Sequence, residues 1–514
     1  MKKIMKLFIV KLMVITGLMI PAVTLMAVPE DEVRVALMYE PSTVNMLEVK
    51  ARGDLPPILI MHESLIATDP VTGVMGVKNS LSESITVMPD NKSIKFKIRK
   101  NSVFHTGDPV TAHDVKFTYN QVANPKNANL LGGTLVEIEE IEIIDDHTFI
   151  IHLFEPYAAW KELLWIGICS KKYYEKVGRK KFRKNPVGSG VYKFKEYIPG
   201  EYIVLEAFEK HPIFKMDFKI MKFMIVSDEV TRLAMLETGE LDLVSNVLPH
   251  YLKRLKRNKH VVIKRESRVP SLYALAFKAD NFPIFKDRNV GRAINFAINR
   301  QEIVDRVYLG EGYPLYLYAS RSELGYDPKV ILEYDPEKAK QHLKQSTYKP
   351  GDTLTLSYTS ATPNSVMVAA MIKRYLKKIG ITTKLQLLDA GVAATYSRNR
   401  DPREGHMSLY EWNGSRDPSM RLLLSISSDS IYASYTNRPK QKEIDALVKA
   451  QSWEMDEGKR LKILKELYTL LGEDADGPVL FGTNMIYAHS KRIDYHWLPY
   501  TSQLYNLHRI VKIK

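Results

Sequence analysis

Alternation of apolar and polar residues marks the predicted strands, which dominate the first 226 residues. Successive side chains of a strand point to opposite faces of a sheet, so a period of two is typical of a half-buried strand. The pattern predicts strands at residues 32–40, 93–99, 148–153 and 216–226. It also predicts a hairpin over residues 190–206, because Pro199-Gly200 interrupts the alternation with a turn.

Apolar residues three and four positions apart mark the predicted helices. These span residues 111–122, 227–237, 287–309, 335–344, 365–379, 440–451 and 457–471. Thr111 and Ser227 suit helix starts, Asp114 suits a first turn, and Gly380 suits a left-handed C-cap. Helices and strands do not alternate regularly, so we expect an α/β protein with several lobes.

The first residues combine a basic segment with an apolar one. Lysines at positions 2, 3, 6 and 11 precede the apolar run Leu12 to Ile20, and Ala27 is a small residue at a plausible cleavage point. This layout predicts a secretory signal peptide over residues 1–27. The alternative is an uncleaved anchor, but the run is shorter than the ~20 residues that span a bilayer. Because no cysteine follows the run, we expect a periplasmic protein that is not a lipoprotein.

Size and cysteine content indicate a protein that is stable without covalent cross-links. The chain has 514 residues, of which 45% are hydrophobic and 26% charged, as in an ordinary globular protein. A chain of this length buries most of its apolar surface. Its one cysteine, Cys169, lies in an apolar run and is expected to be a buried thiol.

The chain is basic, with a net charge of +15, of which four charges lie in residues 1–27. The remaining +11 suits acidic partners, although a solvated basic surface explains it equally simply. Export and the lack of nucleic-acid-binding motifs argue against nucleic acid as a partner.

Six segments of the chain carry a family resemblance. One is KIRKNSVFHTGDPVTAHDVKFTYN, in which a strand leads through a glycine turn to a helix; the others occupy residues 185–194, 236–244, 286–304, 334–343 and 372–381. In this order they resemble the extracellular solute-binding proteins of family 5, the oligopeptide- and dipeptide-binding group. Three positions depart from the family pattern: Thr106, Ser189 and Asn299 replace Asp, Thr and Asp.

The resemblance implies a type II periplasmic-binding-protein fold, with two ligand-closing lobes and a family-specific third one. Lobe I would comprise residues 28–60, 187–275 and 480–514, lobe II residues 61–186, and lobe III residues 276–479. Hinge closure would trap a small polar solute between lobes I and III. The expected partners are a small-molecule or peptide ligand and the permease and ATPase subunits of an ABC importer. We expect a monomer without cofactor, metal or catalytic activity.

The resemblance also identifies candidate ligand contacts. In peptide-binding members, an Asp three residues after a Trp takes the amino terminus of the peptide. Here Ser415 stands three residues after Trp412, and Asp417 and Glu411 are the nearest acids. A hydroxyl binds an ammonium less strongly than a carboxylate does, so peptide binding stays open unless a one-residue gap restores Asp417. The candidates are Trp412, Asn413, Gly414, Ser415, Arg416, Asp417, Arg400, Arg52 and Asn364.

Other interpretations of these residues remain. Arg52, Arg400 and Arg416 suit an anionic ligand such as a sugar, an opine-like compound or another conjugate, or are simply solvated. Asn364 suits a helix cap, and Trp412 suits a core position. An exported enzyme lacks support, because the sequence has no G-x-S-x-G elbow and no P-loop. A sensor on the same fold is a further alternative.

Overall fold

The computed structural model describes residues 28–69, 72–269, 271–413, 415–430, 436, 438–473, 477–496 and 506–513. The predicted signal peptide and Gly414 lie outside these residues. In the part of the chain that is described, no helix is both long and apolar enough to cross a bilayer.

The strands build five sheets, three of which are large. In chain order, the strands are β1 (Glu32–Leu37), β2 (Ala67–Thr68), β3 (Met75–Gly76), β4 (Ser82–Val87), β5 (Ser93–Ile98), β6 (Ile138–Asp145), β7 (Thr148–Leu153), β8 (Tyr192–Ile198), β9 (Tyr202–Ala207), β10 (Ile220–Ile225), β11 (Leu243–Val244), β12 (Val261–Glu266), β13 (Ser271–Phe277), β14 (Gly312–Pro314), β15 (Thr353–Thr359), β16 (Thr382–Leu388), β17 (Met407–Asn413), β18 (Val479–Thr483), β19 (Met485–Ser490), β20 (Ile493–Asp494) and β21 (Val511–Lys512).

Helices cover the faces of these sheets. They are α1 (Leu55–Met61), α2 (Ala112–Ala123), α3 (Lys171–Lys184), α4 (Glu229–Thr238), α5 (Leu252–Leu255), α6 (Arg288–Ala297), α7 (Arg300–Val307), α8 (Pro336–Lys344), α9 (Ser365–Lys378), α10 (Ala390–Arg398), α11 (Ser419–Ser425), α12 (Gln441–Trp453) and α13 (Glu457–Glu473). Two short 3-10 turns also matter for the site, Arg52–Asp54 and Trp160–Leu163.

Lobes I and II each form around one large sheet. The sheet of lobe I has seven strands in the order β12-β19-β11-β1-β10-β9-β8, and β1 runs parallel to β10 and β11. The sheet of lobe II is antiparallel, in the order β4-β5-β7-β6. The core of lobe II lies between this sheet and the inward faces of α2 and α3, and it includes the fully buried Cys169. The predicted buried thiol is therefore confirmed, and burial raises its pKa.

Lobe III contains the third large sheet, in the order β14-β18-β13-β17-β15-β16. Strand β15 is parallel to both β16 and β17, whereas β13 is antiparallel to β17. On one face, Met407 and Leu409 of β17 pack in a core that also includes Ile294 and Ile372, from α6 and α9. Alternation then turns Tyr410 and Trp412 to the opposite face.

The expected lobes require the chain to cross between lobes I and III at two points. The expected boundaries at 275/276 and 479/480 fall inside β13 and β18, both of which belong to the sheet of lobe III. We propose instead that the crossings lie between β12 and β13 and between β18 and β19. Glu311 lies beside both, because it pairs with Arg265 at 2.7 Å and accepts a hydrogen bond from Asn484 Nδ2 at 3.2 Å.

Most predicted elements form, with two corrections. The helix predicted over residues 287–309 is two helices, because Ile298 adopts an extended backbone and Asn299 caps α7 by accepting from Glu302 N at 2.9 Å. The N-cap of α4 is Asp228 rather than Ser227, since its side chain accepts from Thr231 N at 2.7 Å. Thr111 and Asp114 do start α2, and Gly380 follows α9 with a φ of 97°.

Candidate functional site

The candidate site lies where three parallel strands of lobe III end. Because β15, β16 and β17 run in the same direction, their carboxyl ends meet at one edge of the sheet. The segments that follow β15 and β17 bring Asn364, Ser415 and Asp417 to this edge. Ligand sites of α/β proteins form at such edges, because loops rather than sheet hydrogen bonds occupy them. Trp412 is partly buried here, one residue before the end of β17.

Lobe II reaches this edge through the turn Trp160–Leu163. The buried side chains of Trp160 and Leu163 anchor the turn, while Glu162 remains partly exposed. Ser415 donates a hydrogen bond from Oγ to the Glu162 carboxylate. Arg416 makes a second bridge between the lobes, from Nη1 to the carbonyl oxygen of Thr72 at 3.2 Å. Two of the predicted ligand residues therefore contact lobe II.

Lobe I contributes Arg52, at the start of the turn Arg52–Asp54. The buried Asp54 carboxylate fixes this turn by accepting backbone N–H groups of Ser42, Lys50 and Ala51 at 2.7 to 2.9 Å. The Arg52 side chain is exposed, yet burial by surrounding protein lowers its pKa, and the Glu162 carboxylate opposes this shift. The Arg52 side chain is thus open to solvent on one side while protein surrounds it on the others.

Asp417, the acid nearest to Ser415 in the sequence, forms an ion pair inside lobe III. Arg460 donates from Nη1 and Nη2 to its two carboxylate oxygens, both at 2.6 Å. Burial would lower the pKa of Arg460, but the hydrogen bond to Asp417 and its charge raise it. Asp417 also accepts from Ser419 N at 2.9 Å, beside the start of α11. These contacts occupy the carboxylate with structural partners.

Two buried tyrosines, Tyr273 and Tyr308, lie between Glu411 and Asn364. Glu411 acts on the buried hydroxyl of Tyr273, whose pKa is raised by burial and by this negative charge. Tyr308 lies beside Tyr273 and interacts with the Asn364 side chain. Asn364 occupies the N-cap position of α9 with a φ of 57°, but its side chain makes no cap hydrogen bond. Asn364 therefore occupies the helix-cap position that was one of its two interpretations, although its side chain does not close the cap, and its contact with a ligand stays a prediction.

Arg400 lies at the opposite edge of the sheet. Helix α10 begins after β16 and carries the chain back toward the start of β17. There the Arg400 carbonyl accepts from Asn281 Nδ2 at 2.8 Å, and its Nη2 donates to the carbonyl of Ser430 at 3.0 Å. Asn281 follows the end of β13, which is antiparallel to β17. The structure thus places Arg400 apart from the other candidates, and its contact with a ligand stays a prediction.

A separate large cavity lies within lobe III. Its volume is about 1050 Å³, and its described lining residues all fall between Leu275 and Val479. Ser408, Tyr410 and Trp412 line it from the sheet, and Ala393 and Ser397 line it from α10. No residue of lobes I or II is among its described lining. Trp412 lines this cavity, and Ser415, three residues later in the chain, bonds to Glu162 of lobe II.

Sequence reasoning missed Glu162, the residue through which lobe II enters the site. It is separated from Ser415 by 253 positions, so no local pattern connects them. The signal that was available is a carboxylate inside the apolar run AAWKELLWIG. A charged side chain in such a run needs a polar partner or water. In the described part of the chain, no group of three or more His, Cys, Asp or Glu side chains is arranged to hold a metal ion.

Comparison with known families identifies the class of protein. The family model "Bacterial extracellular solute-binding proteins, family 5 Middle" matches residues 76–434. The chain belongs to this family, which comprises solute-binding proteins and not enzymes. The resemblance of the six sequence segments and the predicted fold class are both confirmed.

Individual relatives bind different solutes. The glutathione-binding protein GsiB of Salmonella choleraesuis is 24% identical over 439 residues, 82% of this chain and 84% of GsiB. The oligopeptide-binding protein AppA of Bacillus subtilis is 26% identical over 497 residues, 91% of this chain and 89% of AppA. The structure of AppA with a nonapeptide has a TM-score of 0.76, at 24% identity, and covers 94% of this chain and 99% of that chain. AgaA of A. tumefaciens R10 with agropinic acid has a TM-score of 0.74, at 23% identity, covering 90% and 94%.

Proposed function

We propose that the chain is the ligand-capturing subunit of an ABC importer, exported by a cleaved signal peptide and working in the periplasm. It takes up a small polar solute, with short peptides the first candidate, at the junction of its three lobes. The observation that carries this proposal is that Ser415 of lobe III, three residues after Trp412, bonds to Glu162 of lobe II, whose carboxylate also acts on Arg52 of lobe I. Closure of the lobes would bury a solute at this point and present the closed form to the permease.

Each group at the junction would have a distinct role in holding the solute. Trp412 offers a large rigid surface that packs against apolar or planar parts of the solute. Arg52 and Arg416 offer guanidinium groups suited to carboxylate oxygens. Glu162 and the Ser415 hydroxyl offer hydrogen-bond acceptors. No bond is made or broken, so affinity comes from burial and hydrogen bonds alone.

The second candidate is an anionic solute that is not a peptide, as in the opine-like alternative. It is favoured by the two arginines at the junction and by the net charge of +11 on residues 28–514. Such a solute would bind without needing an acceptor for an amine. Competition between free amino acids, peptides and acidic conjugates separates the two candidates.

The test is solute binding by the chain from residue 28 onward, measured by calorimetry on material freed of co-purified solute. The titrants are the solute released from the native protein and a mixture of tripeptides. Trp412→Ala should weaken binding at least about tenfold without lowering the melting temperature, because it removes contact area at the site. Trp453→Ala is the matched control, since Trp453 is 38% exposed on α12. Equal affinities of the two variants would contradict the proposal.

A further inference from the structure

Recognition of an amine at this site needs a carboxylate. The carboxylate in the loop after β17 belongs to Asp417 and is already paired. Ser415 offers only a hydroxyl, which also accepts from Asp417 N at 2.9 Å. Asp417 itself is bound at both oxygens by Arg460, at 2.6 Å each. Breaking that pair would leave a buried guanidinium without its counter-charge, which is strongly unfavourable. A ligand amine therefore has little to gain from Asp417.

Glu162 supplies a carboxylate at the same point from another lobe. It lies on a turn held by the buried Trp160 and Leu163, so its backbone is fixed by the core of lobe II. Its carboxylate reaches across to Ser415 Oγ, the hydroxyl that follows Trp412 by three residues. The same carboxylate acts on Arg52 of lobe I. One acidic group thus faces both of the other lobes.

The opposite charges of the site are carried by different lobes. Arg52 lies on the turn that Asp54 fixes in lobe I, whereas Glu162 belongs to lobe II. A ligand with both an ammonium and a carboxylate satisfies both groups at once, and a charge-assisted hydrogen bond is roughly twice as strong as a neutral one. A ligand with only one kind of charge satisfies only one of them.

We propose that Glu162 is the acceptor for a ligand ammonium group and that Arg52 binds the ligand carboxylate, so that the site selects zwitterionic solutes such as short peptides with free ends. This inference rests on the proposed function, because it assigns roles within the same site. It differs from a site built on lobe III alone, since lobe II contributes a specificity-determining side chain.

The experiment compares three tripeptide mixtures, measured by native mass spectrometry and then by calorimetry on the best binder. One mixture has free ends, one is N-acetylated and one is C-terminally amidated. Acetylation should weaken binding to the unsubstituted protein about 10- to 100-fold, as expected from the loss of a hydrogen bond between charged groups. Glu162→Gln should lose a similar factor for free-ended peptides and almost nothing for acetylated ones. Arg52→Gln should show the corresponding pattern with amidated peptides.

Glu155→Gln is the matched control, because Glu155 is an exposed carboxylate on the same lobe, paired with Lys92. Equal losses for free and acetylated peptides in Glu162→Gln would overturn the assignment, as would a selective loss in Asp417→Asn instead. Failure of every free-ended peptide to bind would also overturn it. The proposed function is tested separately, by whether Trp412→Ala weakens binding of the solute released from the native protein.

Discussion

The Asp417–Arg460 pair shows how one residue near the cleft is reserved for folding. Arg460 is buried and also donates to Ser419 Oγ at 2.7 Å, so it connects α13 to the start of α11. An ion pair in such surroundings adds little net stability over an apolar pair, but loss of one partner leaves a buried charge unpaired.

Asp417→Asn is therefore predicted to lower the free energy of unfolding by about 3 kcal/mol. Urea denaturation measures this value from the transition midpoint and slope. Glu337→Gln, which removes an exposed carboxylate paired with Lys340, should leave the free energy nearly unchanged. A small loss for Asp417→Asn would mean that Arg460 has other partners sufficient to hold its charge.

At the scale of elements, one carboxylate starts two helices. Asp114 Oδ2 accepts from Thr111 N and Oγ1 at 3.0 and 2.8 Å, which closes the first turn of α2. Its other oxygen accepts from Lys171 N at 2.9 Å, at the start of α3. Free N–H groups at the start of a helix need acceptors. Here the buried side chain of Asp114 supplies acceptors at the starts of both α2 and α3.

Removal of the Asp114 carboxylate should lower the free energy of unfolding more than removal of the Thr111 side chain. Thr111→Ala should lower the free energy of unfolding by about 1 kcal/mol, the usual cost of a lost N-cap. Asp114→Ala should cost about twice as much or more, since it leaves buried donors of both helices unsatisfied. Asp146→Ala, with a side chain 72% exposed, serves as the reference in the same denaturation series. Equal costs for Thr111→Ala and Asp114→Ala would show that α3 does not depend on this contact.

At the scale of the whole molecule, lobes I and II join around buried neutral histidines. His62 contacts the carbonyl oxygen of Ile58 at 2.9 Å, and His105 contacts that of Gly190 at 3.0 Å. Burial lowers the pKa of His62 to about 4 and the pKa values of His105 and His508 to about 3. Nearby groups include Glu63, which pairs with Arg99 and His211.

These lowered pKa values predict loss of stability in acid. Above the ordinary histidine pKa of 6.5, the folded and unfolded chains are both neutral at these positions. Below it, the unfolded chain binds protons that the folded chain cannot, so each histidine lowers the free energy of unfolding by about 1.4 kcal/mol per pH unit until its folded pKa is reached.

Urea denaturation between pH 7 and pH 4.5 measures this dependence. The slope should be steep below about pH 6.5. His105→Gln keeps a donor for the Gly190 carbonyl. It should reduce the slope by the contribution of one histidine. A free energy that stays constant down to pH 5 would contradict the account.

Whether a feature could be predicted from the sequence depends on how far apart along the chain the interacting residues lie. The strands β1, β5 and β7 were predictable because alternation is a local property. The break between α6 and α7 was missed because Ile298 does not usually end a helix, although Asn299 is of a residue type favoured at helix starts. Helix α10 was missed since none of its side chains is buried, so it has no apolar stripe to read.

The candidate site divides in the same way. The order of motifs was sufficient to bring Trp412 and Ser415 to a strand edge. It could not show that Arg400 lies apart from these residues, because the direction of α10 depends on tertiary packing. The apolar run around Glu162 marked this residue, but its contact with Ser415 could not be predicted, since it spans 253 positions and involves two lobes.

The central claim is that solute binds at the junction of three lobes, and hydrogen–deuterium exchange tests it most directly. The chain is compared with and without the solute released from the native protein. The account predicts slower exchange in three separate segments, around residues 51–55, 157–164 and 411–417, one from each lobe. Slower exchange confined to residues 292–296, 338–342 and 390–397, which line the cavity within lobe III, would contradict it.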